Sequence, residues 1–177
     1  MRRCAPPPCA GGSDVPVTLA PLRRERVAAL KAGDRSEILD APNLEAVMSL
    51  VAEVAAAHLD LYERTGAQEP WLAYLARETG TRRIVGSCAF KGPPAEGAVE
   101  IAYYTFPDSE GRGFGRAMAG ALLAIARHHR RVERILAHTA PEENFSVAIL
   151  RGHGFAFAGV VEDPEDGTVW RWERENR

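Results

Sequence analysis

The run Tyr103-Tyr104-Thr105-Phe106-Pro107-Asp108-Ser109-Glu110-Gly111-Arg112-Gly113-Phe114-Gly115-Arg116-Ala117 joins a strand pattern to a helix pattern through a glycine-dense turn. That order of residue types makes an anion seat. Glycines let the backbone approach a ligand, and the N–H groups of a helix start point outward with roughly half a positive charge behind them. A diphosphate fits such a seat, and Arg112 and Arg116 could add charge to its oxygens, although either side chain could equally be solvated. Related motifs fit less well. The chain has no G-x-x-x-x-G-K-[ST] run, and G-R-G-F-G lacks the third glycine of a dinucleotide fingerprint. A dinucleotide loop also opens a βαβ unit, whereas this one follows three consecutive strands.

The elements that must hold this turn are legible from periodicity. Val15–Leu19 reads as an edge strand, Pro21 as the start of a short helix, and Asn43 as the N-cap of a long amphipathic helix. In that helix Val47, Leu50, Val51, Val54, His58, Leu61 and Tyr62 recur at helical spacing until Gly66 stops it. His58 falls on the apolar side, as a pocket residue or as a histidine satisfied at the edge of the core. Strand runs at 71–77, 83–90 and 98–106 form a meander. A helix from Gly113 to about Arg130, a strand at 134–139, a short helix at 144–152 and a last strand pair at 155–161 and 168–172 complete the chain. The pattern predicts a single α/β domain over 15–177.

Composition excludes several classes. The 177 residues carry 22 Lys+Arg against 24 Asp+Glu, for a formal net charge of −2, so no nucleic-acid partner is expected. No apolar run reaches the roughly 20 residues that span a bilayer, so no membrane partner is expected either. Residues 1–14 are rich in Pro and Gly and read as a disordered tail without the apolar core of an export signal, which predicts a cytoplasmic protein. Cys4, Cys9 and Cys88 fit neither a zinc pattern nor a disulfide framework, and Cys88 reads as a small buried hydrophobe. His128, His129, His138 and His153 have no metal-ligand spacing, so no metal is expected.

Four strings, G-S-C-A-F-K-G-P-P at 86–94, V-E-I-A-Y-Y-T-F-P at 99–107, G-R-G-F-G-R-A at 111–117 and H-T-A-P-E-E-N-F-S-V-A-I-L-R-G-H-G-F at 138–155, resemble the GNAT superfamily of N-acetyltransferases. They are most similar to its branch of ribosomal-protein N-terminal acetyltransferases. The resemblance covers residues 70–175 and implies a mixed central sheet with a splayed strand pair, flanked by helices. It implies acetyl-CoA as co-substrate and an amine acceptor, a protein N-terminus or a small molecule, with direct attack in a ternary complex. Dimers are frequent among such proteins, so a homodimer is an expectation.

The same resemblance assigns residues. Tyr104, Thr105 and Phe106 would meet the pantetheine arm, and Gly111, Arg112, Gly113, Phe114, Gly115, Arg116 and Ala117 the diphosphate. Glu110 stands where the family has Arg or Gln, and a carboxylate there should turn to solvent. Asn144 and Ser146 fall at positions near the thiol end, though both are also helix-capping types. Glu100 is the first candidate base, with pairing to an arginine across the sheet as its alternative role, and His138 is the second. The family's general-acid tyrosine falls at Leu150, which leaves Ser146, a water or proximity alone to help the thiolate depart. Two other readings stay open: an idle acyl-CoA-binding module, suggested by Leu150 and Glu110, and a nucleotide binder using the same turn.

Overall fold

The computed structural model describes residues 15–38 and 40–177; the tail at 1–14, with Cys4 and Cys9, lies outside the described residues. In chain order the elements are β1 (Val17–Pro21), α1 (Arg24–Lys31), α2 (Leu44–Thr65), β2 (Ala73–Glu78), β3 (Ile84–Phe90) and β4 (Ala98–Thr105). They continue with α3 (Phe114–Arg127), β5 (Arg134–Thr139), α4 (Phe145–Gly152), β6 (Ala156–Asp163) and β7 (Gly167–Glu175). The strands form one sheet in the order β1-β2-β3-β4-β5-β7-β6. Every neighbouring pair is antiparallel except β4 and β5, whose parallel pairing is made possible by the α3 crossover.

Helices cover both faces. Strand alternation sends Tyr103 and Thr105 toward α3, where they lie beside Gly115, while Ala102 and Tyr104 face α2. Between the layers lie Phe90, Phe106, Phe114, Met118, Leu122 and Trp172, each at most 1% exposed. Tyr62 ties α2 to the sheet. Its hydroxyl donates to the Leu22 carbonyl at 2.9 Å and accepts from the Ala73 N–H at 2.8 Å, and burial pushes its pKa up to about 12.

Two local expectations are corrected. Pro21 does not start a helix; it ends β1, an edge strand where its missing N–H removes no interior ladder bond. Asn43 precedes α2 but makes no side-chain cap. Its amide instead donates to the Ile84 carbonyl at 2.8 Å and accepts from the Ile84 N–H at 3.0 Å, a two-way bridge to β3. A buried backbone pair needs partners, and that long-range demand overrides the local one.

Candidate active site

β4 and β5 pair only through Ala98–Arg134, Val99–Ile135 and Glu100–Leu136, and part beyond Glu100. This is the splay that the resemblance implied. Past that point one edge of β4 has no strand partner among the described residues. The register with β3 decides which residues own that edge. The N–H of Lys91 donates to Glu100 and the N–H of Phe106 to Val85, so even-numbered β4 residues turn their backbone groups toward β3. Ile101, Tyr103 and Thr105 therefore face the gap. Of the three residues expected to meet the arm, Thr105 has its backbone on this edge, whereas Tyr104 and Phe106 turn theirs toward β3, and Phe106 is a core side chain at 1% exposure. Tyr103 is the residue that sequence reasoning passed over for this edge.

The glycine turn is built for two different reasons. Gly111 and Gly113 have φ of 70° and 86°, and Gly113 caps α3 in the left-handed conformation. The N–H of Ala117 closes the first ring onto Gly113 at 3.1 Å, so the N–H groups of Phe114 and Gly115 lie ahead of the helix's own acceptors. Gly115 instead serves close packing: a Cβ there would lie 3.0 Å from Ile149 Cδ1 and 3.2 Å from Thr105 Oγ1. Glu110 is exposed, as its charge demanded. Arg112 donates to Glu78 at 3.1 Å and stacks on the Phe114 ring at 4.9 Å. The Arg116 guanidinium lies over Gly152, where a Cβ would be 2.6 Å from Nη1, so the absence of a side chain at 152 makes room for it.

The two rival bases form one unit. Glu100 Oε1 lies 3.1 Å from His138 Nδ1, with side chains 25% and 18% exposed. A carboxylate accepts, so Nδ1 is the donor of this pair, and Nε2 is the nitrogen left for other chemistry. That Nε2 is buried without a hydrogen-bond partner among the described residues. The anticipated alternative, Glu100 paired with an arginine, does not occur among the described residues.

At the start of α4, Asn144 Oδ1 accepts from the Val147 N–H at 3.0 Å, which realises the capping role and leaves the side-chain NH2 as a donor. The Ser146 carbonyl accepts from the Tyr103 hydroxyl at 3.2 Å, across the gap between β4 and α4. Burial pushes the Tyr103 pKa up to about 12, so the phenol keeps its proton at neutral pH. Leu150 is buried in the core and supplies no acid.

On the other face, α2 lines an open pocket against β3 and β4, and His58 is one of its walls. His58 Nδ1 sits 2.7 Å from the Val54 carbonyl, and burial lowers its pKa. Burial also raises the thiol pKa of Cys88, which stays protonated. Among the described residues no cluster of three or more His, Cys, Asp or Glu side chains is arranged to hold a metal ion, and no helix is long and apolar enough to cross a membrane.

Residues 17–156 match the family described as "Acetyltransferase (GNAT) domain". No curated protein matches the chain significantly. Among solved structures, the fold is similar to a RimL ribosomal L7/L12 α-N-protein acetyltransferase in complex with coenzyme A, with a TM-score of 0.62 and 18% identity over 91% of this chain and 97% of that chain. It is also similar to the spermidine/spermine N-acetyltransferase SpeG from Vibrio cholerae, with a TM-score of 0.61 and 15% identity over 91% and 95% of the two chains. A GNAT-family acetyltransferase from Bacillus anthracis gives a TM-score of 0.60 and 14% identity over 90% and 95%. At these identities the likeness is one of fold.

Proposed function

Since the chain belongs to the GNAT acetyltransferase family, we propose that it moves an acetyl group from acetyl-CoA directly onto a primary amine, on a small molecule or a protein N-terminus, with Glu100 and His138 as its proton acceptor. The observation that carries this reading is the position of the pair, at the point where β4 and β5 part. Acetyl-CoA supplies a thioester carbonyl. The new C–N bond forms as the C–S bond breaks, in one ternary complex without a covalent enzyme intermediate.

Each residue then has a defined task. The turn Gly111–Ala117 receives the diphosphate on backbone N–H groups, with Arg116 as the nearby cation. The backbone of Thr105 and Tyr103 meets the amides of the pantetheine arm along the unpaired strand edge. His138 Nε2 takes the proton that the attacking amine must lose, while Glu100 holds the other nitrogen and offsets the charge that develops on the ring. The Tyr103 hydroxyl, Ser146 and the Asn144 amide line the side from which the departing thiolate can draw a proton. Phe157 and Val160, exposed on the edge strand β6, are apolar surface that fits a homodimer.

The deciding experiment pairs cofactor binding with turnover. Saturating acetyl-CoA should raise the melting temperature more than ATP or NAD does, because a ligand that binds only the native state stabilises it. Glu100→Gln should keep that rise and lose about a hundred-fold in kcat. A missing rise would overturn the co-substrate, and a fully active Glu100→Gln would overturn the pair. An inactive wild type that still binds acetyl-CoA would instead describe the idle acyl-CoA-binding module.

A further inference from the structure

The pocket on the α2 side of the sheet has a volume of about 320 Å³, the lower end of the range for small-molecule sites. Val54, Ala57 and His58 of α2, Cys88 of β3, and Ala102 and Tyr104 of β4 form its walls. These walls are apolar or neutral. The His58 Nδ1 proton is committed to the Val54 carbonyl, and burial among these walls lowers the ring's pKa and disfavours its charged form. Glu53 contributes a single carboxylate. Ala102 lies two residues along β4 from Glu100 on the same face, roughly 7 Å away by strand geometry.

Building on the acetyl-transfer reading, we infer that this pocket receives an apolar group attached to the acceptor, so that the substrate is a primary amine on an apolar body. A polyamine carries several positive charges, and one carboxylate would leave most of them beside apolar walls without a partner. A hydroxylated first residue would likewise set a polar group among Val54, Ala57 and Ala102. An amine on an aromatic or branched aliphatic body satisfies both halves of the site. Its body fills the apolar volume, and its nitrogen lies beyond the pocket toward Glu100, two residues along β4 from Ala102.

Binding and turnover separate this inference from the one it rests on. The full chain, saturated with coenzyme A, is titrated with 2-phenylethylamine, a peptide beginning with Phe, a peptide beginning with Ser, and spermidine, while the His58 ring resonances are followed by NMR. The two apolar amines should bind at least about ten-fold more tightly than the other two and shift the His58 resonances. Which of the two binds better tells a small-molecule source from a peptide source of the same chemistry. Ala57→Trp, at an exposed position of α2 that tolerates bulk without unfolding, should abolish that preference by filling the pocket. Equal or tighter binding of spermidine or the Ser peptide, or apolar binding untouched by Ala57→Trp, overturns the inference. An apolar amine that binds as described but accepts no acetyl group overturns the transfer reading and leaves the pocket assignment standing.

Discussion

Glu100 and His138, 38 residues apart in the chain, meet at 3.1 Å between Oε1 and Nδ1 where the parallel pairing of β4 and β5 ends. Two groups that act as one unit should lose activity together. Glu100→Gln keeps the shape of the acceptor but weakens its hold on Nδ1–H, and His138→Gln removes the Nε2 lone pair. Each should lower kcat by about a hundred-fold, and the double variant should be little worse than His138→Gln alone. Steady-state kinetics on the four proteins decides this; losses that multiply would mean that the residues act separately.

Tyr103 supplies a second kinetic test. Its hydroxyl reaches the Ser146 carbonyl at 3.2 Å, and a pKa near 12 keeps it protonated, as the proposed donor to a departing thiolate must be. Tyr103→Phe should lower kcat by about ten- to a hundred-fold with KM for acetyl-CoA unchanged. The lost hydrogen bond should cost only about 1 kcal/mol of stability. A variant with normal kcat would assign the proton to another group.

The glycine turn predicts two distinct phenotypes. Gly113→Ala places a Cβ on a residue with φ of 86°, a strain of about 1–2 kcal/mol at the seat itself. Its larger effect should be a diminished rise in melting temperature with acetyl-CoA. Gly115→Val pushes into Ile149 and Thr105, so it should lower the melting temperature of the ligand-free protein through overpacking worth about 1–3 kcal/mol. Thermal unfolding of both variants, with and without acetyl-CoA, separates the two roles.

Asn43 carries a stability prediction. Asn43→Ala leaves the buried N–H and C=O of Ile84 without their partners and should destabilise by about 2–3 kcal/mol. Asn144→Ala, which removes an ordinary helix cap, should cost about 1 kcal/mol. Urea unfolding of the two proteins compares them directly, and equal losses would contradict the bridging role.

Periodicity made α2, α3 and the meander readable, because burying one face of a helix or strand imposes its own spacing on the sequence. Gly66 ends α2 in the left-handed conformation for the same local reason. What stayed hidden depends on register and on distant partners. Composition does not reveal whether Tyr103 or Tyr104 faces the gap, since that follows from which β4 residues share hydrogen bonds with β3. Asn43 is a helix-capping type by any local rule, and its partner lies 41 residues away. Glu100 and His138 were competing candidates in the sequence because nothing along the chain brings them together. Nothing along the chain pairs Arg116 with Gly152, whose bare Cα leaves the space that the guanidinium occupies.

His58 makes the pocket wall sensitive to pH in one direction. Burial lowers its folded pKa below the value of about 6.5 that it recovers in the unfolded chain. Between those two values the unfolded state binds a proton that the native state refuses, so stability rises with pH through that window. Near neutrality both states are unprotonated and the effect is absent. As pH falls below about 6.5 the native state loses stability, and the loss levels off once the folded pKa is passed. His58→Gln keeps a donor for the Val54 carbonyl while removing the titration, so urea midpoints of the two proteins between about pH 7.5 and about pH 5 should diverge, with the wild type falling more steeply. Other ionisable groups titrate in both proteins and cancel in the difference. Parallel curves would show that the ring gains its proton as easily in the pocket as in water, and would contradict the burial that sets it among apolar walls.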